Sequence, residues 1–363
     1  MTHEERVDLI SSRKLEHLEL ALRGNAEADL GLNWNQVLLI HNCLPEMDLA
    51  DVNLDTDFLG HTLSAPIWIT GMTGGHERAA RINRRLAVAA ERHGLAMGLG
   101  SQRAGLFDPA LMATYRVARD AAPRAVLIAN IGAPQLVTQG DTAGLEIDDI
   151  RAIVDSVEAQ ALAIHLNFLQ EMVQPEGDRN ARGVLDAIAE VVRSVGVPVM
   201  AKETGAGVSR EQAEKRRQAG VAAIDVGGAG GTSMVKIEGA REGQRSNGHV
   251  SVAEAFGRWG IPTAASILET RHCGVPIIAT GGVRSGVEAA RAIALGASAV
   301  GVGLPFLMAA DAGETELEVE IQRFVTELRG ALFLTGSRTP EELQARGVVV
   351  LGDLASWKEQ RGL

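Results

Sequence analysis

Short apolar runs alternate with longer amphipathic stretches along the chain from residue 65 onward. Each run spans four or five residues rich in Val, Ile and Ala, which is typical of a buried strand. The predicted strands are Ile67–Thr70, Leu95–Gly98, Ala125–Ala129, Ala161–His165, Val197–Ala201, Ala222–Val226, Pro276–Ala279 and Ala299–Val302. The predicted intervening helices are Arg78–His93, Ala110–Arg119, Ile147–Gln160, Val184–Val195 and Ser209–Gln218. Eight strand–helix repeats predict an α/β fold, a (β/α)8 TIM barrel.

The barrel is predicted to occupy residues 61–335, between an N-terminal extension (1–60) and a C-terminal tail (336–363). The extension should contain a partly helical segment, Thr2–Leu22, and a strand, Gln36–His41. Further helices are predicted at Glu314–Leu332 and Pro340–Arg346. Loops at 24–31 and 235–250 are expected to be mobile without substrate, because their glycine and charged residues bury little apolar area. The runner-up fold, a doubly wound sheet, needs an early glycine fingerprint followed by an acidic residue, which the sequence lacks.

Composition narrows the class of protein. The formal net charge of −11 disfavours nucleic acid and anionic membranes as partners. Cys43 and Cys273 are too few for a disulfide framework and have no metal-type spacing. The N-terminus shows no apolar signal segment, and no run approaches the length of a membrane span, so we expect a soluble cytoplasmic protein.

The segment Ile277–Gly303 has a strand–glycine–helix–strand pattern. Its Gly281-Gly282 pair allows backbone amides to crowd around an anion, and Arg284 adds a full positive charge. In eight-stranded barrels a phosphate commonly sits after the seventh and eighth strands. The segment therefore predicts a phosphate cradle, with tight helix–strand packing as the alternative explanation for its glycines.

Polar residues follow the other predicted strands. In barrel enzymes the carboxyl ends of the strands form the active site. Each group alone could be an ordinary turn, but six at equivalent positions favour a ligand site. These groups are Gly71–Gly75, Gly100–Arg103, Asn130–Gly132, His165–Asn167, Lys202–Gly205 and Asp225–Thr232.

Two ligands are indicated. Lys202 with Asn130, Ser101 and Thr73 suits the hydrogen-bonding edge of a flat heteroaromatic ring, which together with the phosphate cradle predicts flavin mononucleotide, FMN.

A second, cationic cluster could clamp a diphosphate: Arg13, Lys14, Arg103, His165 and Asn167. Glu171 beside it suits Mg²⁺, which prefers one or two carboxylates plus substrate phosphates. Alternatively, Glu171 pairs with a nearby arginine.

Seven motifs in order carry a resemblance to a known family: RKLEH (13–17), GMTGG (71–75), SQR (101–103), HLNFLQE with QPEGD (165–178), KETGAGVS (202–209), DVGGAGGTS (225–233) and GGVRSG (281–286). From about residue 6 to residue 310, the chain resembles type 2 isopentenyl diphosphate isomerase. The resemblance implies interconversion of isopentenyl and dimethylallyl diphosphate, with reduced FMN, Mg²⁺ and NADPH as reductant. It also implies a homo-oligomer, a tetramer or an octamer.

Site residues are carried over from the matching motif positions. The implied cofactor-binding residues are Met72, Thr73, Ser101, Asn130, Lys202, Thr232, Gly281, Gly282, Val283, Arg284, Val302 and Gly303. The implied substrate-binding residues are Arg13, Lys14, His17, Ser101, Gln102, Arg103, His165, Asn167 and Gln170. Glu171 is the implied metal ligand, and the implied catalytic residues are Gln170, His165 and Lys202.

The implied reaction is a 1,3-proton shift that passes through a tertiary cation, so it needs a strong local acid and a dry pocket. The motifs place no spare carboxylic acid against the hydrocarbon. The hypothesis is therefore that reduced flavin is the acid and base, with Gln170 as an orienting or relaying group. The alternative role for Gln170 is a plain hydrogen bond to the diphosphate.

Three other functions remain to be weighed. An enzyme that oxidises a 2-hydroxy acid would need a His base and an Arg just after strand six. The sequence there reads GGAGGTSM and contains neither. An enzyme similar to inosine monophosphate dehydrogenase would need a nucleophilic Cys just after strand six, whereas Cys273 lies before strand seven. A non-catalytic flavin or phosphate sensor would leave the second cationic cluster and Glu171 unexplained.

Overall fold

The computed structural model describes residues 3–23, 26–28, 30, 34–245 and 252–363. The strands are β1 (Val37–Leu39), β2 (Thr56–Phe58), β3 (His61–Leu63), β4 (Ile67–Ile69), β5 (Ala96–Gly98), β6 (Val126–Gly132), β7 (Ala161–Leu166), β8 (Val199–Glu203), β9 (Ala223–Asp225), β10 (Ile277–Thr280), β11 (Ala299–Val302) and β12 (Val348–Val350). The helices are α1 (His3–Leu22), α2 (Glu77–His93), α3 (Pro109–Ala121), α4 (Ile147–Ser156), α5 (Phe168–Val173), α6 (Val184–Ser194), α7 (Arg210–Gln218), α8 (Met234–Arg245), α9 (Val252–Phe256), α10 (Thr263–Thr270), α11 (Gly286–Leu295), α12 (Leu304–Ala312), α13 (Glu314–Thr335), α14 (Pro340–Arg346) and α15 (Gly352–Arg361).

Strands β4 to β11 form a closed parallel barrel, which confirms the predicted fold. Each strand pairs with the next in sequence, and β11 closes on β4 with Val300 opposite Ile67. The strands are short Val/Ile/Ala runs because barrel side chains inside and helices outside bury both faces.

One end of the barrel is closed by the β2–β3 hairpin. Phe58 and Leu63 pack with Trp68 and the small residues at the strand starts, among them Ala96. The Phe58 and Trp68 ring centroids lie 6.0 Å apart. This plug fills the amino-terminal end of the barrel. The carboxyl ends of the strands, with their polar residues, lie at the opposite mouth.

Strands β6 and β8 run two or three residues further than predicted, and β7 and β10 run one residue further. β6 continues to Gly132 and β8 to Glu203, so Asn130 and Lys202 lie within strands rather than after them. Barrel pairing continues through both, with Asn130 opposite Ala163 and Lys202 opposite Asp225.

Helix α4 ends at Ser156, four residues before its predicted end at Gln160. Glu158 has a left-handed backbone, with φ of 48°, which an α-helix does not accommodate. The Gln160 backbone amide instead donates to the Leu127 carbonyl, over 2.9 Å, so the chain at Gln160 joins the edge of β6.

The prediction of a loop at 235–250 is wrong for residues 235–245, because Met234–Arg245 is helix α8. Val235 and Ile237 are buried, so this segment contributes more to the apolar packing than its glycines and charges suggest. Residues 246–250 lie outside the described part, as do Gly24, Asn25, Asp29 and Gly31 of the other predicted loop.

The two ends of the chain meet outside the barrel. β1, within the predicted Gln36–His41 strand, pairs antiparallel with β12, and Val37 lies opposite Val350. In α15, Arg361 Nε and Trp357 Nε1 both donate to Glu269 Oε1, over 2.6 and 3.0 Å. Within the described ranges, no helix has the combined length and apolarity that a membrane crossing requires.

Candidate active site

Strand register brings the predicted polar residues together. On adjacent strands Gly132 lies opposite His165, His165 opposite Lys202, and Lys202 opposite Asp225. Since all four occupy the carboxyl ends of parallel strands, they form one continuous segment of the barrel mouth.

The mouth contains one cavity of about 530 Å³, a volume typical of small-molecule sites. Of the predicted site residues, all of which the structure describes, Gln102 and Val302 lie outside its wall. Gln102 is fully buried, and its Oε1 accepts from the Asn130 backbone amide over 3.0 Å, so it supports β6. The predicted residues that line the cavity are Arg13, Lys14, His17, Met72, Thr73, Ser101, Arg103, Asn130, His165, Asn167, Gln170, Glu171, Lys202, Thr232, Gly281, Gly282, Val283, Arg284 and Gly303.

Lys202 belongs to a buried network that spans three strands. Its Nζ lies 3.1 Å from Asp225 Oδ2, and Thr280 Oγ1 donates to the same oxygen over 2.9 Å. Asp225 is fully buried and has a fixed position, because its Oδ1 also accepts from the Gly227 amide. Asp225 is thus a supporting residue. Its sequence position placed it in a strand-end polar group, but it was assigned no role in the site.

Asn130 and His165 form a second polar pair, in which Asn130 is buried and His165 partly buried. Asn130 Nδ2 donates to the Leu99 carbonyl over 2.8 Å, which leaves Oδ1 as the acceptor facing His165 Nδ1, also at 2.8 Å. Burial, with the charges of Lys14 and Lys202, lowers the pKa of His165 to about 3. His165 is therefore a neutral imidazole with its proton on Nδ1.

The glycine loops after β9 and β10 pack backbone against backbone. A Cβ on Gly231 would lie 2.6 Å from the Gly282 amide nitrogen, and one on Gly281 would lie 2.2 Å from the Gly228 carbonyl oxygen. Gly281 and Gly282 have φ of 117° and 75°, where glycine is favoured. Tight packing and an anion cradle are thus compatible here, because the packing brings bare backbone to the cavity wall.

Another part of the cavity wall, formed by α1 and the loop after β5, is rich in cations. Lys14 Nζ, on α1, donates to the Ser101 carbonyl over 3.0 Å, and burial together with the Arg13 charge lowers its pKa to about 8. Arg103 Nη1 lies 2.9 Å from Asp178 Oδ2, which holds the guanidinium at the cavity wall. Helix α1 therefore completes a site that the barrel alone does not supply.

Glu171 is held by hydrogen bonds rather than by an arginine. Its Oε1 accepts from Asn167 Nδ2 over 2.8 Å and its Oε2 from the Asp178 amide over 2.9 Å. Among the described residues no arginine forms an ion pair with its carboxylate, and Arg179 Nε donates only to its backbone carbonyl, over 3.4 Å. Burial raises the pKa of Glu171, which a nearby cation would reverse.

Glu238 on α8 was also missed, because its helix was expected to be a loop. Its Oε1 accepts from Gln170 Nε2 and lies near His17 Nε2, both at 2.9 Å. Burial acts to raise the pKa of Glu238, but the hydrogen bond and charge of His17, then Gln170 and Arg241, lower it to about 2. The ionised carboxylate fixes the Gln170 amide and leaves Gln170 Oε1 as its acceptor atom.

Comparison with known proteins places this geometry in a family. Residues 157–350 match the FMN-dependent dehydrogenase family. Isopentenyl-diphosphate delta-isomerase of Methanothermobacter thermautotrophicus is 44% identical over 98% of this chain and 97% of its own length. The enzyme of that name from Methanosarcina barkeri is 45% identical over 98% and 96%, and that from Archaeoglobus fulgidus is 44% identical over 97% and 99%.

Solved structures confirm the fold at low sequence identity. A lactate oxidase of Pediococcus acidilactici superposes with a TM-score of 0.66 at 16% identity, covering 95% of this chain and 94% of that one. A mandelate oxidase variant gives 0.63 at 19% identity, with 92% and 99% covered. Nearly full-length identity above 40% with the isomerases shows that the chain belongs to the isopentenyl-diphosphate delta-isomerase family.

Proposed function

We propose that this enzyme interconverts isopentenyl diphosphate and dimethylallyl diphosphate beside an FMN bound in the barrel mouth. One observation carries the proposal: the residues that suit a flavin and the residues that suit a diphosphate line the same cavity. Family membership supports the reaction, and the match to the FMN-dependent family supports the cofactor.

The cavity wall fits FMN in two places. Lys202, Asn130 and Thr73 offer donors and acceptors to the edge of a flat ring, while Gly281, Gly282, Thr232 and Arg284 offer amides, a hydroxyl and a charge to a phosphate. When bound and reduced, FMN supplies a group that can give and take a proton without a net redox change.

The cavity also fits Mg²⁺. Glu171 is a carboxylate on the wall, and beside it Asn167 Oδ1 is buried without a hydrogen-bond partner among the described residues. Two oxygen donors together with the oxygens of a substrate diphosphate are a ligand set that Mg²⁺ accepts. Among the described residues no group of three or more His, Cys, Asp or Glu could hold a metal alone, which agrees with a cation that arrives with the substrate.

The protein's own residues bind and orient the substrate. Lys14 and Arg103 neutralise the diphosphate, and the α1 helix that carries Lys14 forms part of the cavity wall. Gln170 lines the cavity and is fixed by Glu238, which leaves its Oε1 free to accept from a ligand. An amide is too weak an acid to protonate an alkene, so Gln170 orients the substrate rather than protonating it. His165 is neutral at physiological pH, which favours a binding role over proton donation.

Lys202 acts electrostatically on the bound cofactor. Its ammonium is held against Asp225, so the charge has a fixed position before the ring binds. A fixed charge of this kind stabilises negative charge on a flat ring at no cost in reorganisation.

Oxidation of a 2-hydroxy acid is the main competing function, because the structural neighbours share the fold. Residues 227–234, after β9, contain neither the histidine nor the arginine that hydride abstraction from an alcohol would need. Cys273 is half-buried beside Val275 and outside the cavity wall, so it is not placed as a nucleophile for a dehydrogenase of the inosine monophosphate type. A non-catalytic flavin sensor would not need Lys14, Arg103 and Glu171 in one cluster.

Purified protein tests the proposal through its absorption spectrum and its products. The expected result is a yellow protein that converts isopentenyl diphosphate after reduction and leaves 2-hydroxy acids unchanged. K202Q is expected to weaken FMN binding at least tenfold, whereas K215Q, at an exposed position on α7, is not. Oxidation of a 2-hydroxy acid without isomer conversion would contradict the proposal. NADPH as the reductant, the tetramer or octamer and the cytoplasmic location remain predictions.

A further inference from the structure

Tyr115, on α3, lies beneath the lysine that we assign to the diphosphate. It is the chain's single tyrosine and is fully buried. Its hydroxyl donates to the Ser101 carbonyl over 2.7 Å, and Lys14 Nζ lies 3.0 Å from that carbonyl and 3.4 Å from the hydroxyl. The Lys14 ammonium is 5.9 Å from the ring centroid, within the range of a cation–π contact.

The first strand-end loop is shaped around the same ring. A Cβ on Gly74 would lie 1.7 Å from Tyr115 Cε1, and one on Gly75 would lie 3.3 Å from the Tyr115 hydroxyl and 3.6 Å from Lys14 Cγ. The Gly75 amide donates to Thr114 Oγ1 over 2.7 Å, so α3 holds this loop through two consecutive residues. The ring therefore requires a glycine at Gly74, whereas Gly75 is favoured mainly by its left-handed backbone, with φ of 76°.

The hydroxyl has the right polarity to hold an ammonium. Burial raises the pKa of Tyr115, so the hydroxyl stays protonated and donates a hydrogen bond to the Ser101 carbonyl. Its lone pairs remain for a donor, and Lys14 is that donor. An ammonium has three N–H groups, so two can bind these oxygens while the third serves a ligand in the cavity.

We propose that Tyr115 is a positioning residue for diphosphate binding, acting through Lys14. A free lysine side chain loses considerable rotamer entropy when it is fixed on a ligand. Tyr115 and the Ser101 carbonyl hold Lys14 in place beforehand, and so tie α1 to the barrel mouth. The inference rests on the proposed function, since it takes Lys14 as a diphosphate ligand.

The conservative variant Y115F separates positioning from packing. Phenylalanine keeps the ring against Gly74 and Gly75 and removes the oxygen that Lys14 contacts. In FMN-loaded protein, Y115F should weaken binding of inorganic pyrophosphate with Mg²⁺ about fivefold to tenfold, as expected for one hydrogen bond. The KM for isopentenyl diphosphate should rise by the same factor, with kcat and FMN affinity changed less than twofold.

A double-mutant cycle with K14M tests whether Tyr115 acts on pyrophosphate binding through Lys14. If Tyr115 acts through Lys14, Y115F should change pyrophosphate affinity less than twofold in the K14M background. Equal losses in both backgrounds would mean a merely structural role and would overturn the inference.

The single tyrosine also permits a test without Y115F. Protein labelled with ¹³C at tyrosine Cζ should show one resonance that moves when pyrophosphate is added and that stays still in K14M. If the protein binds pyrophosphate but the resonance does not move, the inference about Tyr115 is overturned and the proposed function is not. Failure of the unmodified protein to bind pyrophosphate at all would overturn the proposed function as well, so the two failures are distinguishable.

Discussion

His165 donates through Nδ1 to Oδ1 of Asn130 over 2.8 Å, and the orientation of that amide fixes the tautomer of the imidazole. Because burial and the charges of Lys14 and Lys202 lower the pKa of His165 to about 3, the ring should stay neutral from pH 5 to pH 8. Nitrogen NMR of the FMN-loaded protein, with H165Q to assign the signal, should show an Nδ1-protonated ring that does not titrate in this range. A midpoint between pH 5 and pH 8 would contradict this account and reopen His165 as a proton donor.

Lys14 should set the alkaline limb of the pH profile. Its pKa is lowered from 10.5 to about 8, so its positive charge is lost as the pH rises through 8. Since kcat/KM reports groups of the free enzyme, kcat/KM for isopentenyl diphosphate should fall above pH 8, approaching tenfold per pH unit. K14M should be slower and should lack this limb, while K215Q should keep it. A limb that persists in K14M belongs to another group.

The Lys202–Asp225 pair should be important for stability as well as for the site. Both side chains are buried, and removal of one partner of a buried pair typically costs about 3–5 kcal/mol because the other charge is left alone. D225N should therefore lower the free energy of unfolding by about that amount, measured by urea titration. D57N, at an exposed position on β2, should change it by less than about 0.5 kcal/mol. Equal effects of the two substitutions would argue against a buried ionised pair.

Glu171 should determine the magnesium requirement. E171Q keeps the size of the side chain and a hydrogen-bond acceptor but removes the charge, so about ten times more Mg²⁺ should be needed for half-maximal activity. E190Q, on the exposed face of α6, is the matched control. An unchanged Mg²⁺ dependence in E171Q would place the cation elsewhere.

The barrel could be predicted from the sequence because each strand is a short run buried on both faces, bounded by glycine or polar residues. The strand ends were harder to place, since a polar residue inside a strand at the barrel mouth resembles the start of a loop. For this reason Asn130 and Lys202, which line the cavity as the predicted site requires, were assigned to the wrong local structure.

Residues that act through distant contacts gave weaker signals. Glu238 was missed because α8 carries glycines and charges, and its buried Val235 and Ile237 are recognisable only once α1 and α5 pack against it. The β1–β12 pair joins residues 37 and 350, so no local pattern could predict it. Tyr115 lies in an ordinary amphipathic helix, and its role depends on a lysine 101 positions away.

The most direct test follows the bound cofactor and the products in one anaerobic sample. After FMN is reduced and Mg²⁺ and isopentenyl diphosphate are added, dimethylallyl diphosphate should accumulate over many turnovers while the flavin absorbance stays that of the reduced form. The oxidised sample should be inactive until reductant is added. Formation of product without reduced FMN, or oxidation of the flavin in step with product, would contradict the account.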